Sequence, residues 1–264
     1  MQMIFGFNRQ DLRLAHNLFK MNVRDRYLGS TLGSFWAIAN PFFLLAVYTF
    51  VFGFIFKVRL PGAETTLEYV IWLISGYGPW LATSEAIVLA TTSVVGAAGI
   101  VKNMAFKTEL LPIAASLTGT ISLVVSLTFL LLLMLLSNNP PSWHVVGLPF
   151  IVGLHFFLIA AVGLWLSAIN VFIRDLAQAL PNLLTILIFM TPIFYAIDSM
   201  PSIVQKLSFI NPLYQISEAY RCVLIGGRFP DILGTAYLIL LSGFLFSTGL
   251  RAFRRVKGRF DSVL

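Results

Sequence analysis

Charges divide this chain into long apolar stretches. Residues 27–56 hold no Asp, Glu, Lys or Arg, residues 69–101 hold only Glu85, and residues 110–173 hold none at all. Residues 176–197 and 232–250 are likewise uncharged. A helix needs about 20 apolar residues to cross a hydrocarbon layer about 30 Å thick. The 64-residue stretch is too long for one crossing and is broken by Ser137-Asn138-Asn139-Pro140-Pro141, a run of turn formers. The pattern therefore predicts six spans, at roughly 34–56, 69–90, 112–136, 147–170, 180–197 and 232–250, with boundaries good to about 2–4 residues. The expected fold is all-α: a polytopic membrane protein with one transmembrane domain over residues 1–264. No charged leader with a small-residue cleavage site precedes the first span, so the N-terminus reads as mature.

Two segments carry periodicity without the length to span. Over residues 8–27, Arg9, Arg13, His16, Asn17, Lys20 and Arg24 share one helical face, and Leu12, Leu14, Ala15, Leu18, Phe19, Met21 and Val23 share the other. Such a helix lies in the interface, its basic face toward anionic lipid or a cytoplasmic partner. Residues 198–231 hold two shorter apolar runs, each opened by a proline (Pro201, Pro212) suited to a helix start. They predict two short re-entrant or interfacial helices. In span five, Pro192 after Thr191 is expected to kink the helix near its outer end.

Composition fits this picture and closes others. Hydrophobic residues are 58% and charged residues 11%, with a mean hydropathy of +0.87; a soluble domain carries about 25% charged residues. The 24 Phe argue against disorder. One cysteine, Cys222, leaves no disulfide or zinc cluster within one chain. The net charge of +7 is lopsided: thirteen Lys and Arg fall on the side of the predicted spans that holds both termini, and five on the other (Lys57, Arg59, Lys206, Arg221, Arg228). The positive-inside rule puts both termini in the cytoplasm and assigns the charge to loops rather than to nucleic acid. No G-x-x-x-x-G-K-[ST], H-E-x-x-H or G-x-S-x-G occurs. His16, His144 and His155 lie far apart and predict no metal site. Of the ionisable groups within spans, Glu85 reads as a group that snorkels or bonds a neighbouring helix, and His155 as a satisfied buried histidine. Any energy source must come from another chain.

Five strings, in order, carry a resemblance: YLGSTLGSFWAIANPFF (27–43), GIVKNMAFKTELLPIA (99–114), NVFIRDLAQALPNLL (170–184), MTPIFYAIDSMP (190–201) and FINPLYQISEAYRCVLI (209–225). Set on a six-span layout, the series resembles the type-2 ABC exporter permeases, and more narrowly the permease subunit of O-antigen, capsule and teichoic-acid exporters. The resemblance implies a bacterial inner-membrane homodimer bound to two copies of a separate ABC ATPase. ATP and Mg would sit on that ATPase, and this chain would bind no cofactor. It also implies a polyprenyl-pyrophosphate-linked polysaccharide as substrate. The interface helix would carry Arg9, Arg13, Lys20, Arg24 and Arg26. Cytoplasmic coupling loops would be 97–109, with Lys102, Lys107 and Glu109, and 171–179, with Arg174 and Asp175. Residues 199–228 would form an outer gate. Where many relatives read Phe-Pro-Arg-Glu, this chain reads Phe106-Lys107-Thr108-Glu109.

A polysaccharide conduit would use aromatic faces that stack weakly on sugar rings. The candidates are Phe35, Trp36, Phe42, Phe43, Tyr48, Trp72, Tyr77, Trp80, Phe194 and Tyr195, with Glu85 among them as the polar group. Arg9, Arg13, Arg24 or Arg26 would meet the pyrophosphate at the cytoplasmic mouth. Three rivals remain at this point. A drug or lipid efflux permease is expected to carry a large extracytoplasmic domain or a fused ATPase. A membrane-embedded transferase needs clustered polar catalytic residues at one face. A channel or scaffold works without ATP.

Overall fold

The computed structural model describes residues 6–26, 28–56, 65–104 and 106–264, and every regular element among them is helical. Tyr27, Ala105 and the segment 57–64, with the loop cations Lys57 and Arg59, lie outside the described residues. In chain order the helices are α1 (Arg9–Asp25), α2 (Trp36–Tyr48, continued by a π-helical turn Thr49–Ile55), α3 (Thr66–Gly96), α4 (Ala98–Asn103), α5 (Leu110–Ser116), α6 (Gly119–Leu136), α7 (Leu148–Phe172), α8 (Asp175–Met190), α9 (Ser202–Ile210), α10 (Pro212–Leu224), α11 (Ile232–Val256) and α12 (Phe260–Val263). Among the described residues, four helical stretches are long and apolar enough to cross a membrane: Gly33–Ile55, Leu110–Leu136, Trp143–Phe172 and Ile232–Arg259.

Local chemistry sets the ends of these elements. Asn8 and Asp11 form a reciprocal capping box that starts α1: the Asn8 side chain accepts from the Asp11 amide, and the Asp11 carboxylate accepts from the Asn8 amide. Asn138 turns the chain out of α6 at a φ of 54°, a left-handed conformation that asparagine tolerates. Pro212 opens α10 behind an Asn211 cap. The expected span 180–197 is corrected here. The helix stops at Met190, and Thr191 is extended rather than kinked, because the ring of Pro192 disfavours helical backbone at the residue before it.

α3 is the axis of the bundle. It packs against α5, α6, α7, α8 and α10, while α11 packs on α7, α2 on α6 and α1 on α5. Nineteen of its 31 residues are buried, so its neighbours are protein rather than lipid. It can therefore carry polar groups that a lipid-facing helix cannot. Thr83 shows how they are satisfied: its hydroxyl donates to the Pro79 carbonyl and lies 2.7 Å from His155 Nε2, whose Nδ1 faces the Tyr220 hydroxyl at 3.2 Å. One tautomer fits this chain, with the proton on Nε2 and the tyrosine donating to Nδ1. His155 is thus a satisfied core histidine. Outward faces are apolar instead, as on α2 (Ile38, Phe43, Val47, Phe54) and α11 (Ile232, Leu233, Leu240, Phe244).

Close approach between helices depends on small residues, as membrane packing requires. A Cβ on Gly119 would run into the Ala82 carbonyl and come within 3.0 Å of the Ala86 methyl. Gly119→Ala is expected to push α6 off α3 and lower stability by about 1–3 kcal/mol, measured as thermal aggregation of the purified chain in detergent. An unchanged midpoint would mean the contact has slack.

Candidate functional site

Helical spacing builds a groove between α2, α3 and α8. Tyr77, Trp80, Ser84, Glu85 and Val88 recur at three- and four-residue steps and form one stripe of α3. Pro181, Leu184, Thr185, Ile188 and Phe189 do the same on α8, and Tyr48 closes the wall from α2. The groove measures about 570 Å³. Its two ends differ in chemistry. At one, Tyr48 lies 4.3 Å from Tyr77 between ring centroids, and Phe194 stacks on Tyr48 (5.7 Å) and Phe52 (5.5 Å). At the other, Arg26 pairs with Glu85 at 3.4 Å, and the Ser122 hydroxyl donates to the same carboxylate.

The structure brings some of the expected aromatics here and leaves others elsewhere. Tyr48, Tyr77, Trp80 and Glu85 stand in the wall, and Phe194 packs at its aromatic end. Phe43 and Phe35 are exposed on the outer surface, Trp36 meets Phe35 edge-on, and Phe42 packs on Phe129. Trp72 faces away, stacked under Arg221 at 3.8 Å. Tyr195 donates to the Phe189 carbonyl. Sequence reasoning missed the α8 wall, although the spacing Pro181, Leu184, Thr185, Ile188 was a readable signal.

A second constellation joins both termini to the segment between α4 and α5. Lys107 donates to the Gly6 carbonyl (2.8 Å) and pairs with Asp11 (2.6 Å). Glu109 is 1% exposed and pairs with Arg254 (2.8 Å) and Lys257 (3.8 Å) from the end of α11. The Phe7 ring lies 5.6 Å from both Lys107 and Arg254, and Phe260 is buried against Phe253 at 5.3 Å. Two candidate coupling residues, Lys107 and Glu109, thus bind within the chain. Lys102, Arg174 and Asp175 remain exposed, with Arg174 reaching the Val263 carbonyl at 3.4 Å. On α1, Arg9, Arg13, His16, Asn17, Lys20 and Arg24 are all exposed, while Ala15 and Leu18 are buried; Leu12, assigned to the apolar face, stays 54% exposed.

Asp11 gives this constellation a pH dependence. The Lys107 ammonium, ahead of the Asn8 amide, holds its carboxyl below the usual carboxylate range. A lowered acid pKa stabilises the docked state at pH values above about 4, and that contribution is lost as pH falls through the lower native value. Proteolysis within α1 is expected to accelerate as pH drops below about 4, and Asp11→Asn should show the acid rate already at neutral pH. Equal rates for the variant and the parent at pH 7 would remove the ion pair from the account.

The profile of ABC-2 type transporters matches residues 14–225, a range that runs from α1 through α10 and contains the groove. The O-antigen export system permease protein RfbA of Myxococcus xanthus is 27% identical over 220 residues, 83% of this chain and 82% of its own length. The protein of that name from Klebsiella pneumoniae is 26% identical over 92% of both chains. The polysialic acid transport protein KpsM of Escherichia coli is 22% identical over 94% of this chain and 95% of its own. With most of its length inside the family profile, the chain belongs to the ABC-2 type transporter family.

Proposed function

We propose that this chain is the permease subunit of an ATP-driven exporter that moves a polyprenyl-pyrophosphate-linked polysaccharide, O-antigen foremost, across the bacterial inner membrane. The observation that carries the reading is the groove itself: a trough in an ABC-2 chain, walled by Tyr48, Tyr77 and Trp80, with a paired Arg26 and Glu85 at its far end. Ring faces hold sugars weakly enough for a polymer to slide, which a conduit requires. Arg26 can exchange the Glu85 carboxylate for an incoming pyrophosphate, whose paired anionic oxygens suit the planar fork of a guanidinium. The names of the relatives support the same cargo class.

In this reading α3 and α8 complete six spans, both termini are cytoplasmic, and α9 and α10 form the re-entrant outer gate. At 1.5 Å per residue α3 reaches about 46 Å and α8 about 24 Å, the latter extended by the turn that follows it. Two copies of the chain face their grooves toward each other, and two copies of a cytoplasmic ATPase, which hold the ATP and Mg, dock beneath. Lys102, Arg174, Asp175 and the exposed basic face of α1 meet that partner. Lys107 and Glu109 pass its motion to α1 and α11. Purification of the chain with its ATPase tests the assembly: a two-plus-two complex whose ATP hydrolysis depends on this chain is expected. A chain that stays monomeric and leaves ATP hydrolysis unchanged would overturn it.

A further inference from the structure

The charge pattern places Arg221 among the outer loop cations, yet its side chain is buried to 5% exposure between α3 and α10. Its guanidinium carbon sits over the Trp72 ring, 3.8 Å from the centroid, and Glu218 stands 3.8 Å away. Its two terminal nitrogens donate to the Pro192 and Ile193 carbonyls, each at 3.1 Å. Those carbonyls belong to the short turn after α8, where the helix has been stopped by Pro192. Both terminal nitrogens of this buried cation are matched, while Nε has no partner among the described residues; a buried cation with no partners at all would cost several kcal/mol. Space for it depends on Gly76: a Cβ there would come within 2.6 Å of Nη2.

The same turn is tied from two other directions. Tyr69 donates to the Phe194 carbonyl at 2.9 Å, and the Asn211 side chain donates to the Thr191 hydroxyl at 2.9 Å. The turn ends in Phe194, whose ring packs on Tyr48, Tyr77 and Phe189. All three of these residues line the groove. Trp72, Gly76, Arg221 and the turn 191–194 therefore form a continuous path from the core of the bundle to the aromatic end of the groove.

We infer that Arg221 is a positioning residue: stacked on Trp72 and forked onto the Pro192 and Ile193 carbonyls, it holds the turn so that the Phe194 ring closes the aromatic end of the groove. The planar fork is what matters, because only a guanidinium can stack on the indole and donate to two adjacent carbonyls at once. Release of this latch frees Phe194 and opens that end. The inference deepens the export reading and rests on it for its consequence in transport. Its geometry stands on the groove alone.

The test uses the full-length chain in lipid nanodiscs, where both faces meet the reagent. Cys222 is replaced by Ala and Phe194 by Cys, and the rate of maleimide labelling is followed. Arg221→Lys keeps the charge and loses the fork. Gly76→Ala leaves Arg221 in place and crowds its guanidinium. Each is expected to raise the labelling rate at position 194 roughly tenfold, the effect of losing about one charge-assisted hydrogen bond. Labelling of a cysteine placed at Asn138, in the turn that follows α6, should not change. Trp72→Phe keeps an aromatic face and should fall between the parent and Arg221→Lys, and it serves if either of the others fails to accumulate. Unchanged labelling at 194 in the variants, or an equal rise at 138, would overturn the latch. The labelling needs neither substrate nor ATPase, so a failure of the export reading leaves this result legible.

Discussion

Arg254→Ala is expected to destabilise the chain more than any other single change on its terminal end. Glu109 is 1% exposed, and its nearest cation, 2.8 Å away, comes from a residue 145 positions later. Among the described residues, removal of Arg254 leaves the buried carboxylate with Lys257, at 3.8 Å, as its one remaining cation. Stripping one partner from a wholly buried pair costs about 3–5 kcal/mol. Arg254 keeps 37% exposure and Lys257 41%, so water screens part of this and about 2–3 kcal/mol is the expected size. In a thermal unfolding scan that corresponds to a midpoint lowered by roughly 5–10 °C. Glu109→Ala should cost less, because it leaves behind cations that already reach solvent. The double variant should lie close to the worse single one, since the second change removes nothing the first has not released. Strictly additive losses would show that the two residues act apart, and the tie between the 104–109 segment and α11 would have to be abandoned.

Thr185→Trp carries the second large effect, on transport instead of stability. Thr185 is exposed on the groove side of α8, and an indole there occupies the trough between Tyr48 and Glu85. Surface changes of this kind alter stability by about 0.5 kcal/mol or less, so the chain should accumulate normally. Surface polysaccharide should fall roughly tenfold or more, as it would for a barrier raised by at least about 1.4 kcal/mol. Ile186→Trp is the matched control, since Ile186 is 57% exposed and absent from the groove wall. Equal export by the two variants would place the path of the polymer elsewhere.

Much of this architecture could be read from the order of residues. Charge-free length and turn formers located the long helices, the periodicity of residues 8–27 located α1, and Pro212 marked the start of α10. Those are local effects, decided within a few residues. What the pattern could not settle depended on partners far along the chain. Arg221 looked like a loop cation because nothing near it in sequence reveals that Trp72 and the Pro192 and Ile193 carbonyls await it. Glu109, which the resemblance places in a coupling loop, finds its Arg254 and Lys257 partners at the far end of the chain, where no local pattern reveals them. α3 contains the expected span, but its central place shows only in its burial. The aromatics divide along this line as well: residues on the α3 stripe reached the groove, whereas Phe43 on α2 and Phe35 in the turn before it point outward. A period of 3.6 residues groups side chains into faces without saying which face meets protein.

The measurement that bears most directly on the account is deletion of the gene followed by parallel analysis of surface glycan and of the lipid-linked glycan pool inside the cell. The account predicts loss of one surface polysaccharide together with accumulation of its polyprenyl-pyrophosphate-linked form on the cytoplasmic side. An intact surface glycan combined with altered tolerance to drugs or lipids would contradict it and turn the groove into the path of an efflux permease.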